Sequence, residues 1–211
     1  MRKYTLNLTN IKTDSHEKYY WLGFLAGDGN VAKNEARVRV ELKDIDREQL
    51  ENLQAFFESN APITERTNNT GCHALTVSIN SAELKRYLAQ YNIVPAKTSI
   101  FSIPFENIPN EYIYDFARGL LDADGSIHIR EDRNNIPSLS FVSQTEICAK
   151  QMLEILGFDN KVSPCGTSAY QIHKEGTAVV QILNRIYEYS TETSRLRRKY
   201  EIYKALNGAI Y

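Results

Sequence analysis

Two aspartates in this chain stand in the same local context. Asp28 follows Gly23-Phe24-Leu25-Ala26-Gly27 and precedes Gly29; Asp124 follows Gly119-Leu120-Leu121-Asp122-Ala123 and precedes Gly125. At an offset of 96 residues Gly23 meets Gly119, Asp28 meets Asp124 and Gly29 meets Gly125. Each run reads as a helix stopped by its glycine, which puts each carboxylate at a helix C-terminus, where the macrodipole disfavours negative charge. If the two helices pair about a pseudo-twofold axis, those ends converge and the carboxylates also repel one another. Such an arrangement persists most naturally around a shared cation. Oxygen ligands in a tight site favour Mg²⁺, with Mn²⁺ or Ca²⁺ as binding substitutes and the carbonyls of Gly27 and Ala123 as further ligands. Beside a phosphodiester, such an ion activates water and stabilises the leaving oxygen.

A single Asp-Gly after a helix is an ordinary turn; two copies with matched glycines are not so easily dismissed. A calcium loop starting at Asp122 fails, because its sixth position is Ile127 and its twelfth is Arg133.

The elements that must position these acids also repeat. Asp14 or Ser15 can cap the first helix, with Glu17 at capping-box spacing from Asp14. Gly23 and Gly27 share one helical face, as do Gly119 and Ala123. Glycine costs about 1 kcal/mol in a helix interior, so these stripes point to close helix–helix packing. After each helix comes an alternating strand pattern, 37–43 and 138–144, then a helical period around Leu50–Phe57 and Met152–Leu156. Two short strands follow, 63–67 with 74–79 and 161–164 with 170–173, and a helix closes each half at 82–91 and 178–189. The expected fold is α+β: two αββαββα repeats, 1–91 and 111–211, joined by an extended, proline-bearing connector at 92–110 and ending in a basic helix over 194–207.

Composition excludes several classes. At 211 residues and 42% hydrophobic the chain can build a core, and 24% charged residues argue against disorder. No apolar run approaches a membrane span, and no secretory h-region follows Met1-Arg2-Lys3-Tyr4, so an intracellular protein without membrane attachment is expected. Cys72, Cys148 and Cys165 are scattered, with neither zinc nor disulfide spacing. His16, His73, His128 and His173 have no metal-ligand spacing either. A net charge of −1 leaves nucleic-acid binding to depend on the field of one face.

The two glycine-flanked segments resemble the paired motifs of the single-chain LAGLIDADG homing endonucleases, and the resemblance runs from about Ser15 to Leu206. It implies a monomer that cuts double-stranded DNA at long sites, using Mg²⁺ held by the last acid of each motif, here Asp28 and Asp124. It also implies a lysine near the end of each repeat. Lys97, in Pro95-Ala96-Lys97-Thr98, lies 69 residues after Asp28, and Lys199, in Arg197-Arg198-Lys199-Tyr200, lies 75 after Asp124. The family's water-contacting polar residue at the end of the second strand corresponds to Gln144 and, nearest in the first half, Lys43. Two departures stand out: Ala26 replaces the first acid that Asp122 keeps, and Arg118 occupies a place that is usually small and apolar.

The resemblance further implies a saddle of two antiparallel sheets whose polar faces meet the DNA. Alternation assigns Arg37, Arg39, Glu41 and Lys43 to that face in the first half, and Arg66, Asn68, Thr76 and Ser78 are further candidates. In the second half it assigns Ser126, His128, Arg130, Ser138, Ser140 and Gln144, with Gln171 and His173 as further candidates. Such side chains read base edges in the major groove or simply form a solvated face. The alternative activity is binding without cleavage, as an RNA maturase or a DNA-binding regulator; retention of both motif aspartates and both lysines favours the nuclease. No splicing-block residues flank the repeats, so a free-standing protein is expected rather than an intein-borne one.

Overall fold

Ser15 starts the first long helix. The structure, a computed structural model, describes residues 4–67, 73–133 and 135–208; Asn68 and Cys72 lie outside these. After a single turn, α1 (Thr9–Lys12), the Ser15 hydroxyl accepts from the Lys18 amide at 3.1 Å and opens α2 (His16–Gly27). Asp14 instead receives the Lys18 ammonium at 2.6 Å and the Tyr19 hydroxyl at 2.9 Å. From Lys18 to Ala26 every residue of α2 is buried, so the helix has no wet face.

The first repeat continues with β1 (Gly29–Val31), β2 (Arg37–Lys43), α3 (Arg47–Phe56), β3 (Thr64–Thr67), β4 (His73–Asn80) and α4 (Ala82–Ala89). The second repeat follows the same order: α5 (Ile113–Asp124), β5 (Gly125–Arg130), β6 (Ile136–Ser143), α6 (Glu146–Leu156), β7 (Ser163–Cys165), β8 (Ala169–Glu175) and α7 (Ala178–Tyr187), and then α8 (Arg197–Gly208). Each repeat forms a four-stranded antiparallel sheet, ordered β1-β2-β4-β3 and β5-β6-β8-β7. The α+β reading and the doubled αββαββα order hold.

In register, Val38, Val40 and Leu42 lie opposite Ile79, Val77 and Leu75, while Arg39 faces Ser78 and Glu41 faces Thr76. The first set is mostly buried and the second half-open, which is the period-two division of an antiparallel sheet with one wet face. No helix of the described residues is long and apolar enough to cross a membrane.

Two expectations are corrected. The connector is not simply extended. It contains 3-10 turns at Lys97–Ser99, Phe105–Asn107 and Asn110–Tyr112, and Phe101, Ile103 and Ile108 are buried, so apolar side chains hold it to the body. Gly29 and Gly125 are not left-handed caps, since neither has a positive φ. Each instead begins a strand so tightly against its own helix that a Cβ would lie 2.4 Å from the Leu25 carbonyl oxygen or 2.6 Å from that of Leu121.

The two motif helices pack backbone on backbone. A Cβ on Gly23 would fall 2.0 Å from the Phe116 carbonyl oxygen, and one on Gly119 2.1 Å from that of Tyr20. Trp21, Phe24, Phe116 and Leu120 are all buried in the single core to which both helices belong.

Candidate active site at the paired helix ends

The small-residue stripe ends where the acids begin. A Cβ on Gly27 would lie 2.3 Å from Ala123 Cβ and 2.9 Å from Asp124 Oδ2, so the Asp124 carboxylate rests against the residue preceding Asp28. Among the described residues neither carboxylate has a hydrogen bond or an ion pair within salt-bridge distance. Burial, and then the charge of Asp124, push the Asp28 carboxyl up to about 7, against the pull of Lys199 and Lys97. Burial likewise raises Asp124, although its side chain reaches solvent. Two adjacent, unpaired carboxylates held by rigid helices make a donor set that suits a hard divalent cation.

The lysines named from sequence are placed at the same ends, by different means. Lys97 Nζ donates to the carbonyls of Gly27 at 3.0 Å and Gly29 at 2.7 Å. Lys199 Nζ donates to those of Leu121 at 2.5 Å, Asp122 at 2.7 Å and Gly125 at 2.7 Å. Each ammonium thus neutralises the negative end of its own motif helix, offsetting the cost of an aspartate there. Burial lowers both lysines, Lys199 to about 8, with nearby aspartates opposing the shift. Lys97 is set by Ala96, whose φ of 56° is left-handed, an uncommon conformation for a residue with a Cβ.

A cleft opens on each side of the carboxylate pair. One, of 440 Å³, is bounded by Asp28, Lys43, Asp46, Asp122 and Arg198. The other, of 270 Å³, is bounded by Gly27, Lys97, Asp124, Ser143 and Gln144. Lys43 and Gln144 therefore occupy corresponding places at the ends of β2 and β6.

The polar sheet faces continue outward from these clefts. On the first, Arg37, Arg39, Glu41, Lys43, Thr76, Ser78 and Arg66 share one side, and the register adds Asn30 beside Arg39 and Thr64 beside Thr76. Glu41 Oε2 lies 3.9 Å from Arg39 and accepts from Thr76 at 3.3 Å. On the second, Ser126, Ser140 and His173 form one row, His128, Ser138 and Glu175 another, and Gln171 a third with Val142. Ser138 is buried, its hydroxyl 3.0 Å from His173 Nε2, and Arg130 is held by Asp132 at 2.9 Å and Glu175 at 3.2 Å. The first face carries more cationic charge than the second.

For three residues the sequence left the partners unread. Asp122 Oδ2 accepts from the Tyr20 hydroxyl at 3.0 Å and the Leu196 amide at 2.7 Å, while its Oδ1 is buried without a partner among the described residues. Burial raises its carboxyl. Ala26, its counterpart in the first repeat, has no such duty. Arg118, fully buried, donates to the carbonyls of Ser194 at 2.8 Å and Ile186 at 2.7 Å and pairs with Asp115 at 2.8 Å. Asp46 receives Arg198 Nε on both oxygens, at 2.9 and 3.1 Å. Asp115, one turn away on the same helix, aside, these partners lie some 70 to 150 residues distant in sequence and leave no local pattern to read.

Comparison with known proteins agrees with this geometry. Residues 15–92 match the family model described as a LAGLIDADG-like domain. The fold superposes on the I-SmaMI meganuclease bound to uncleaveable DNA with a TM-score of 0.62, at 14% identity, covering 95% of this chain and 90% of that one. It superposes on the I-LtrWI LAGLIDADG homing endonuclease bound to target DNA at 0.60, with 10% identity and 92% and 90% coverage. On the LAGLIDADG meganuclease I-AabMI bound to uncleaved DNA the score is 0.58, with 10% identity and 90% and 91% coverage. These likenesses are of fold. In sequence, 144 residues are 27% identical to part of a protein described as a DNA polymerase from Thermococcus hydrothermalis; they are 67% of this chain and 9% of that protein's length.

Proposed function

We propose that this chain, in which two LAGLIDADG repeats share one core, is a site-specific endonuclease for double-stranded DNA that requires a divalent metal, Mg²⁺ by the hardness of its ligands. The observation that carries the reading is the unpartnered carboxylate pair of Asp28 and Asp124 at the apposed ends of α2 and α5. DNA bound by the related nucleases of the same fold supports it.

Asp28 and Asp124 would hold the divalent ion, which would supply the acidity to activate water and positive charge beside the scissile phosphate. The chain's own residues do the rest. Gly27 and Ala123 let the helix ends approach closely, which brings the Asp124 carboxylate against the residue before Asp28. Lys97 and Lys199 hold those ends in place and keep their carbonyl charge from repelling the acids. Gln144 and Lys43, which line the two clefts, would orient water arriving from solvent. The polar rows of the two sheets would lie along the major groove on either side, with Arg37, Arg39 and Arg66 supplying donors of the kind that recognise guanine.

The test is cleavage of a randomised or genomic DNA library in Mg²⁺, with sequencing of the ends. A recurrent long site, cut by the native protein and bound but uncut by Asp28→Asn, is the expected result. Specific binding with no cleavage in Mg²⁺ or Mn²⁺ would overturn the nuclease in favour of a binding module.

A further inference from the structure

The two clefts are not chemically equivalent. Lys97 makes two carbonyl bonds, leaving one ammonium hydrogen for the cleft that holds Asp124 and Gln144. Lys199 makes three, is 2% exposed and does not line the cleft on the Asp28 side. Its donors are spent. In its place Arg198 lines that cleft, with a side chain 49% exposed. Only its Nε is engaged, by Asp46, and among the described residues the two terminal nitrogens of its guanidinium have no hydrogen bond. The residue before Lys97 is Ala96, and the cap of α6 is Thr145, bound to the Phe101 carbonyl, where the first repeat has Asp46 before α3. The Asp46–Arg198 pair is thus an addition to one side only.

We propose that Arg198 is the catalytic cation for the DNA strand cut in the Asp28 cleft, with Asp46 as its positioning residue, whereas Lys97 serves the strand cut in the Asp124 cleft. This rests on the nuclease reading. Asp46 fixes the guanidinium by Nε and leaves its two outer nitrogens to meet two oxygens of one phosphate, the bidentate geometry that an ammonium cannot supply. Charge developing on that phosphate is then stabilised by a group fixed before the substrate arrives. The two strands are cut by different donors, a fork on one side and a single ammonium hydrogen on the other.

The experiment is single-turnover cleavage with each strand separately end-labelled, at saturating protein and a mapped site. Arg198→Gln should slow one strand by about 10²-fold, the usual effect of losing a charge-stabilising donor, and leave the other within about twofold. Nicked product should accumulate, and Lys97→Met should nick the opposite strand. Arg198→Lys, which keeps charge and fold but loses the fork, should slow the same strand by a smaller factor. Asp46→Asn should slow that strand without changing DNA affinity, and Asp46→Glu should restore part of the rate. Equal slowing of both strands by Arg198→Gln and Arg198→Lys would overturn the assignment, as would strand-selective loss in Lys43→Met but in neither Arg198 variant. Absence of cleavage by the unaltered protein would instead strike the nuclease reading itself, before any variant is compared.

Discussion

Gly23 rests directly on Phe116: the space a Cβ would need is already held by the Phe116 carbonyl oxygen, 2.0 Å away. Neither partner can yield, because that oxygen belongs to a helix backbone and both helices are buried. Gly23→Ala should therefore cost at least about 3 kcal/mol, the upper range for overpacking, even though alanine is the better helix former. Denaturant midpoints read this directly. Stability equal to the native protein would mean the helix pair can slide apart at no cost.

Asp28 gives the fold a pH dependence of unusual sign. Its folded value of about 7 lies above the ordinary 3.8, so the native state keeps a proton that the unfolded chain releases. Its contribution is fully present below the unfolded value and is lost as pH rises from about 4 through 7. Asp28→Asn should melt close to the native protein at pH 4 and several degrees higher at pH 8. Millimolar Mg²⁺ should raise the melting temperature of the native protein at pH 8 and move the variant much less. Calorimetry at the two pH values, with and without the ion, checks both.

Arg118 is an ion buried for structural reasons. Arg118→Met would leave Asp115 Oδ1 unpaired in the core, with only His16 Nδ1 at 2.7 Å on Oδ2, and remove the donors that hold the carbonyls of Ile186 and Ser194. Breaking a buried pair from one side typically costs about 3–5 kcal/mol. The double variant Arg118→Met with Asp115→Asn should recover part of that loss, and chemical denaturation of the pair of variants measures how much. A double variant no more stable than the single would mean that the carbonyl contacts, not the stranded charge, dominate.

Ala96 holds a left-handed conformation immediately before Lys97. Glycine adopts it freely, so Ala96→Gly relieves strain in the native state while loosening the unfolded chain; the two effects oppose and strain is the larger, about 1–2 kcal/mol against less than 1. The variant should be slightly more stable than the native protein. A β-branched residue at this position should be less stable, and thermal melts of Ala96→Gly and Ala96→Val together test the sign.

What sequence could supply was whatever repeats or alternates locally. The glycine stripes at Gly23 and Gly119, the order of elements and the sidedness of β2 all follow from spacing, and the structure keeps them. The inner positions were harder. Ser138 alternates correctly with Leu139 yet is buried, because His173 on the neighbouring strand covers it. Arg118 looked out of place on an apolar helix because two of its partners, at the end of α7 and in the turn before α8, adjoin it only once the second repeat has folded. Lys97 and Lys199 could be located by correspondence, but not their unequal hydrogen bonding, which depends on where carbonyls fall at the end of each helix. Arg198 was masked by the lysine next to it.

The burial of α2 on every side carries a consequence for how the molecule comes apart. A repeat that kept its own sheet but lost the other half would present the Tyr20, Gly23 and Phe24 side of α2 to water and leave the Tyr20 hydroxyl and Gln49 without Asp122 to complete their chain. Neither half owns a closed interior. The doubled architecture should accordingly melt in one cooperative transition rather than two, and scission of the connector should yield fragments that stay folded only in each other's company.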